Sequence, residues 1–101
     1  MTELMRIEAV KPLEGYWVRL WFSNGAIKDV DLSEALAGGG VFEPIYTDRS
    51  LFEQVRVTET KTIDFPGEVD FDPDVLYGTF EPASGIRIER RTVREPLTKA
   101  R

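Results

Sequence analysis

YWVRLWFSNGAIKDVD, residues 16–31, decides the fold. Tyr16 to Phe22 is β-branched and aromatic almost throughout, the composition of a pleated, half-buried strand. Ser23-Asn24-Gly25 then reads as a hairpin turn, with Gly25 free to take positive φ, and Ala26 to Asp31 returns as the partner strand. A three-residue loop sets Val18 against Val30, Arg19 against Asp29 and Tyr16 against Leu32. A two-residue Asn-Gly loop would instead put Leu20 opposite Asp29 and Val18 opposite Asp31. Apolar residues pair with apolar ones, and Arg19 with a carboxylate, only in the first register. Tyr16, Val18, Leu20 and Phe22 then line the core face. Trp17, Trp21 and Ile27 share the opposite face, with Trp21 across from Ile27.

Working outward, Arg6 to Lys11 alternates Ile7 and Ala9 with charged positions and supplies a first strand, with a turn at Pro12 to Gly15. On the other side, Asp31 and Glu34 fit a capping box for a short helix through Leu36, which Gly38-Gly39-Gly40 ends. Val41 to Tyr46 reads as an apolar linker anchored by Phe42 and Ile45. Asp48 caps a helical turn holding Leu51 and Phe52. Val55 to Thr58 and Thr62 to Phe65 look like strands, Pro66-Gly67 like the centre of a type II turn, and Val69 to Phe71 like a short extended piece. Asp72 suits the N-cap and Pro73 the first position of a last helix. Ile86 and Ile88 are compatible with an edge strand or with a mobile tail. The expected class is α+β: a mostly antiparallel sheet of five or six strands with two or three short helices. Residues 1–80 are expected to form one domain, followed over 81–101 by a basic C-terminal tail or edge strand.

Composition narrows the function. The 101 residues contain neither histidine nor cysteine. That excludes Ser–His–Asp and Cys–His nucleophiles, imidazole and thiolate metal sites, and disulfides. Histidine is also the side chain that titrates near neutrality without perturbation, so acid–base chemistry would need a strongly shifted carboxylate, lysine or tyrosine. No apolar run reaches the length of a membrane span, and the N-terminus lacks the basic region of a signal peptide, so the expectation is cytoplasmic with no membrane contact. The net charge of −5 is uneven: residues 1–85 carry 7 basic and 16 acidic side chains, residues 86–101 carry 6 basic and 2 acidic. An acidic body repels phosphate backbones, whereas the basic segment can meet an acidic partner, nucleic acid, or the body itself.

One run is distinctive: Asp64-Phe65-Pro66-Gly67-Glu68-Val69-Asp70-Phe71-Asp72-Pro73-Asp74-Val75-Leu76-Tyr77. With Phe22-Ser23-Asn24-Gly25, Val30-Asp31-Leu32 and Leu51-Phe52 before it, the chain resembles the bacterial family catalogued as domain of unknown function 2442, over roughly Met5 to Tyr77. Phe65 departs from the tryptophan usual in that family before the proline. The resemblance implies a compact α+β fold and no established activity. Relatives of the family occur fused to a lambda-repressor-like helix-turn-helix, and some members sit beside small toxin-like genes, which implies an antitoxin-like or adaptor role. Only 24 residues follow Tyr77, broken by Pro82 and Pro96, so DNA binding through such an extension is not carried over.

Three constellations remain. Asp70, Asp72, Asp74 and Glu81 occupy places 1, 3, 5 and 12 of a calcium loop, and would serve a metal-binding or hydrolytic function. Val75 stands where the sharp turn needs glycine and Pro73 stiffens the segment, so the acids read as a helix cap and solvated charges, and no metal or other cofactor is expected. Gly38-Gly39-Gly40 lacks the Lys-Ser/Thr that a phosphate loop requires. Arg87, Arg90, Arg91 and Arg94 offer contact to nucleic acid or a partner, the basis of a DNA-associated regulator as an alternative function. The leading expectation is a non-catalytic protein-interaction module that binds another protein, or a second copy of itself, through Trp17, Trp21 and Ile27.

Overall fold

β1 (Ile7–Pro12), β2 (Trp17–Phe22) and β3 (Ile27–Asp31) form the antiparallel meander, and the hairpin adopts the three-residue-loop register: Val18 pairs with Val30, Arg19 with Asp29 and Trp21 with Ile27. Asn24 stabilises the turn by accepting the Ala26 amide through Oδ1 at 3.0 Å, and Gly25 takes φ of 90°. This computed structural model describes residues 5–79, 82 and 85–97. The connection that follows carries α1 (Ser33–Leu36), a 3-10 turn at Gly40–Phe42, α2 (Glu43–Thr47) and α3 (Arg49–Phe52). β4 (Arg56–Val57), β5 (Ile63–Phe65) and β6 (Val69–Asp70) follow, then α4 (Pro73–Tyr77) and β7 (Glu89–Arg94).

The fold is α+β, with two antiparallel sheets among the described residues: β1-β2-β3-β7 and β4-β5-β6. The expectation of one sheet of five or six strands is corrected. β4, β5 and β6 are two or three residues long, too short to extend the meander's ladder. The small sheet meets β1 where the Ile7 amide donates to the Lys61 carbonyl at 2.8 Å. β7, from the basic C-terminal segment, pairs with β3 instead.

One apolar core serves both sheets. Val18, Leu20 and Phe22 face inward from β2 and join Ile7, Val30, Leu36, Ile45, Phe52, Ile63, Phe65, Leu76 and Ile88. Each such side chain contributes about 1.5–3 kcal/mol on burial, so the alternation of β2 alone commits its face. Phe52 stacks on Phe65 at 5.5 Å between centroids and Phe71 meets Phe65 edge-on at 6.0 Å, binding α3 to the small sheet. Arg49 donates to the carbonyls of Leu13 and Gly15, fixing α3 against the β1–β2 turn.

The caps follow side-chain chemistry. Asp48 Oδ1 accepts the Ser50 amide at 3.0 Å and Asp72 Oδ1 accepts the Asp74 amide at 2.9 Å, each opening its helix. Two local expectations are corrected. α1 begins at Ser33, with Leu32 at the cap position, because Asp31 closes a tight turn onto the Ser33 amide at 3.0 Å and leaves Glu34 exposed. Val41 to Tyr46 is helical, because Pro44 falls in the first turn of α2, where a missing amide costs nothing.

Candidate interaction surface

Alternation along β2 places Trp17, Arg19 and Trp21 on the face of the four-stranded sheet that points away from the core. Their partners extend the face: Asp31, Asp29 and Ile27 on β3, Lys11 and Ala9 on β1, and Glu89 and Arg91 opposite Asp31 and Asp29 on β7. Trp17, Trp21 and Ile27 are half-buried, and none belongs to the residues packed against the core.

An ionic row separates the tryptophans. Asp29, only 4% exposed, accepts a two-pronged contact from Arg19, Nε to Oδ1 at 2.8 Å and Nη2 to Oδ2 at 3.1 Å. That bonding, with the attraction of the carboxylate, holds the Arg19 guanidinium above its already high ordinary value. Arg91 Nη2 reaches the same carboxylate at 3.8 Å, while its guanidinium lies 4.2 Å from the centre of the Trp17 ring. A cation over an indole face is a favourable pairing, and here it lays a half-open polar lid on one of the two tryptophans. Trp21, between Ala9 and Ile27, has no such cover among the described residues.

The basic segment lies against the body. Arg90 turns beneath the sheet and donates from Nη2 to the Val75 carbonyl at 2.7 Å and from Nε to the Leu76 carbonyl at 3.0 Å. Lys28 Nζ donates to the Tyr77 carbonyl at 2.8 Å and sits 3.9 Å from the centre of the Tyr77 ring. Burial, and then the neighbouring Arg90 charge, push the Lys28 ammonium below its ordinary value. The last carbonyls of a helix have no partner within it, so these cations satisfy the C-terminal end of α4 and clamp it to the sheet. Arg94 Nε donates to the Gly25 carbonyl at 2.9 Å. Arg87 is open, its side chain 78% exposed and 4.0 Å from Glu89. Nothing in the spacing of the arginines announced that Arg90 would be a helix clamp; the only signal was charge.

The acidic run is not gathered. Asp70 ends β6 and is exposed, Asp72 caps α4, Asp74 lies in its first turn, and Glu81 falls outside the described residues. Among the described residues no group of three acidic side chains is placed to hold a metal ion. An open cleft of about 340 Å³ lies elsewhere, lined by Gln54, Arg56, Asp64, Pro66 and Glu68, with Arg56 and Asp64 paired at 2.9 Å. It holds no arrangement of a nucleophile and a base.

The match that decides the family is to the model of "Protein of unknown function (DUF2442)", over residues 7–82. The chain belongs to this family. The match runs from the start of β1 past the end of α4, and so covers the hairpin, both tryptophans and the Asp64–Tyr77 segment. A comparison with curated proteins found no match. Among solved structures, the DUF2442 chain is similar to the crystal structure of "Putative DNA Binding Protein NE0471" from Nitrosomonas europaea, with 27% identity and a TM-score of 0.64 over 76% of this chain. The chain spans 50% of that protein's length. Among the described residues no helix is long and apolar enough to cross a membrane.

Proposed function

We propose that this protein is a non-catalytic interaction module whose outer sheet face docks another protein chain through Trp17, Trp21 and Ile27. The observation that carries the reading is the placement of two tryptophans and an isoleucine on the sheet face remote from the core. Large aromatic side chains flanking a paired arginine are the usual anchors of protein interfaces. The lack of histidine and cysteine fits a protein that binds without transforming. An adaptor or antitoxin-like role is the form this takes in a cytoplasmic setting, with a second copy as the alternative occupant.

The test uses the full chain and a Trp17→Ala/Trp21→Ala variant. Both are assayed for melting temperature, for solution mass by light scattering, and for proteins retained from an extract of the native cell. The expected result is a variant that melts close to wild type but loses a retained partner or the dimer. A variant that keeps every partner and the same mass ends the proposal.

The similar Nitrosomonas europaea structure, by its name, favours a second reading, a DNA-associated regulator acting through Arg87, Arg90, Arg91 and Arg94. Against it stands the commitment of Arg90, Arg91 and Arg94 to carbonyls, a carboxylate and an indole of the body itself. This reading requires duplex binding that falls steeply with salt and disappears on charge reversal of Arg87.

A further inference from the structure

Half of the β7 backbone has no strand partner among the described residues. In the hairpin, the Phe22 amide donates to the Ala26 carbonyl at 2.9 Å and the Leu32 amide to the Tyr16 carbonyl at 3.0 Å. The even-numbered residues of β3 therefore spend their peptide groups on β2, and the odd-numbered Ile27, Asp29 and Asp31 turn theirs toward β7. Glu89 and Arg91 stand opposite Asp31 and Asp29. The amides and carbonyls of Arg90 and Thr92 consequently point away from the sheet, where no strand follows among the described residues. Such a row is a template for another strand.

The side chains along this edge select its occupant. Arg91 and Arg87 are 65% and 78% exposed, and Arg94 is exposed, against the acids Glu89 and Glu95. A second copy of β7 does not fit. A two-fold axis through the edge keeps the sheet faces, so paired residue numbers sum to an even value. Centring on Thr92 leaves only the Thr92–Thr92 pair, because the bulge between Thr92 and Arg94 breaks the outward row beyond it, and centring on Arg90 or Arg91 sets that arginine against itself. Like charges directly opposite are destabilising. The same charges attract an acidic strand: Arg87 and Arg91 keep 78% and 65% of their side chains exposed beside Glu89 and Asp29, and Arg94 is exposed while bonded to a neutral carbonyl. Nucleic acid would answer the charge but leaves the peptide donors and acceptors of Arg90 and Thr92 without strand partners.

We infer that the free edge of β7 accepts, by strand addition, an extended acidic segment of another protein, with main-chain bonds at Arg90 and Thr92 and acidic side chains beside Arg87, Arg91 and Arg94. This site is the outer edge of β7, and it meets the tryptophan face at Arg91, whose guanidinium lies over the Trp17 ring. Because the Thr92 amide serves no bond within the sheet, Thr92→Pro removes a donor from the edge while leaving the β3–β7 ladder intact.

The experiment titrates the full chain with a labelled peptide of alternating glutamate and valine, a matched lysine–valine peptide and oligothymidylate, and follows amide exchange by NMR. The inference expects the acidic peptide to bind and to protect the Arg90 and Thr92 amides. Thr92→Pro should weaken it by at least about tenfold, the worth of one main-chain bond. Arg87→Glu, at an exposed side chain, should also weaken it, and Trp21→Ala, which leaves the Arg91 contact on Trp17 in place, should leave it unchanged. The inference is overturned by an acidic peptide that fails to bind at about millimolar concentration, by equal binding to Thr92→Pro and Arg87→Glu, or by preference for oligothymidylate. Loss of acidic-peptide binding in Trp21→Ala alone would instead assign the peptide to the sheet face.

Discussion

Replacing Arg90 by alanine should loosen α4 from the sheet, and the size of the effect follows from the contacts. Arg90 supplies two charged donors to carbonyls that the helix cannot satisfy, at 2.7 and 3.0 Å, and its Cδ and Nε lie 3.4 Å from where a Cβ on Gly78 would stand. A hydrogen bond with one charged partner is worth about 1.5–3 kcal/mol when buried. Both bonds here are partly open to solvent, so about 1 kcal/mol each is the better figure, about 2 kcal/mol in all, with a few tenths more for the packed stem. At this chain length each kcal/mol moves the melting temperature by about 4–8 °C, so Arg90→Ala should melt roughly 10 °C lower. Arg90→Met keeps the stem and should fall nearly as far. Arg90→Lys, a point charge without the fork, should recover about half of the loss. Thermal unfolding of the three variants, followed by circular dichroism, is the assay, with hydrogen exchange of the Leu76 and Gly78 amides as a local readout. If Ala and Met both lie within about 0.5 kcal/mol of wild type, the clamp contributes nothing and the account of the basic segment is wrong.

Lys28 adds a pH dependence whose sign is fixed. Its folded-state pKa lies below the ordinary 10.5, so the unfolded chain binds more protons within that window and stability rises with pH there. The wild-type minus Lys28→Met difference in unfolding free energy should therefore increase toward alkaline pH, and a flat or falling difference contradicts the burial seen at Tyr77. Asp29→Asn should lower the melting temperature by several degrees, more than removal of the exposed Arg49–Glu53 pair, because Asp29 holds two arginines from a buried position; equal losses would refute the ranking. Asp72→Ala should cost about 1 kcal/mol through the lost cap of α4, read by urea unfolding. Calorimetric titration of the wild type with calcium should give no heat at about millimolar metal, and saturable heat would restore the acidic run as a ligand set.

Local chemistry was legible in the chain itself. The hairpin register followed from the cost of burying Asp29 or Asp31 against the core, and the caps at Asp48 and Asp72 from carboxylates placed just ahead of a helical turn. These are interactions between residues a few positions apart, and no third element can reverse their sign. The capping box expected of Asp31 and Glu34 failed locally, because Asp31 closes a turn onto Ser33 instead, while two other misreadings share an origin in packing. Val41 to Tyr46 lacked helical periodicity in isolation and became α2 because Ile45 is drawn into a core formed by distant strands. The small sheet separated from the meander because its strands are anchored by Phe52, Phe65 and Phe71, which meet only in three dimensions.

Residues 16–31 alone settle which side of the main sheet is core and therefore that Trp17, Trp21 and Ile27 lie on the other. Alternation is a property of the backbone, the same in any context. The tertiary structure alone decides what the arginines do, because a guanidinium reaches far enough to choose among partners its own strand does not name. Arg90 finds the end of α4, Arg91 the face of Trp17, and the strand carrying both becomes the open edge of the sheet.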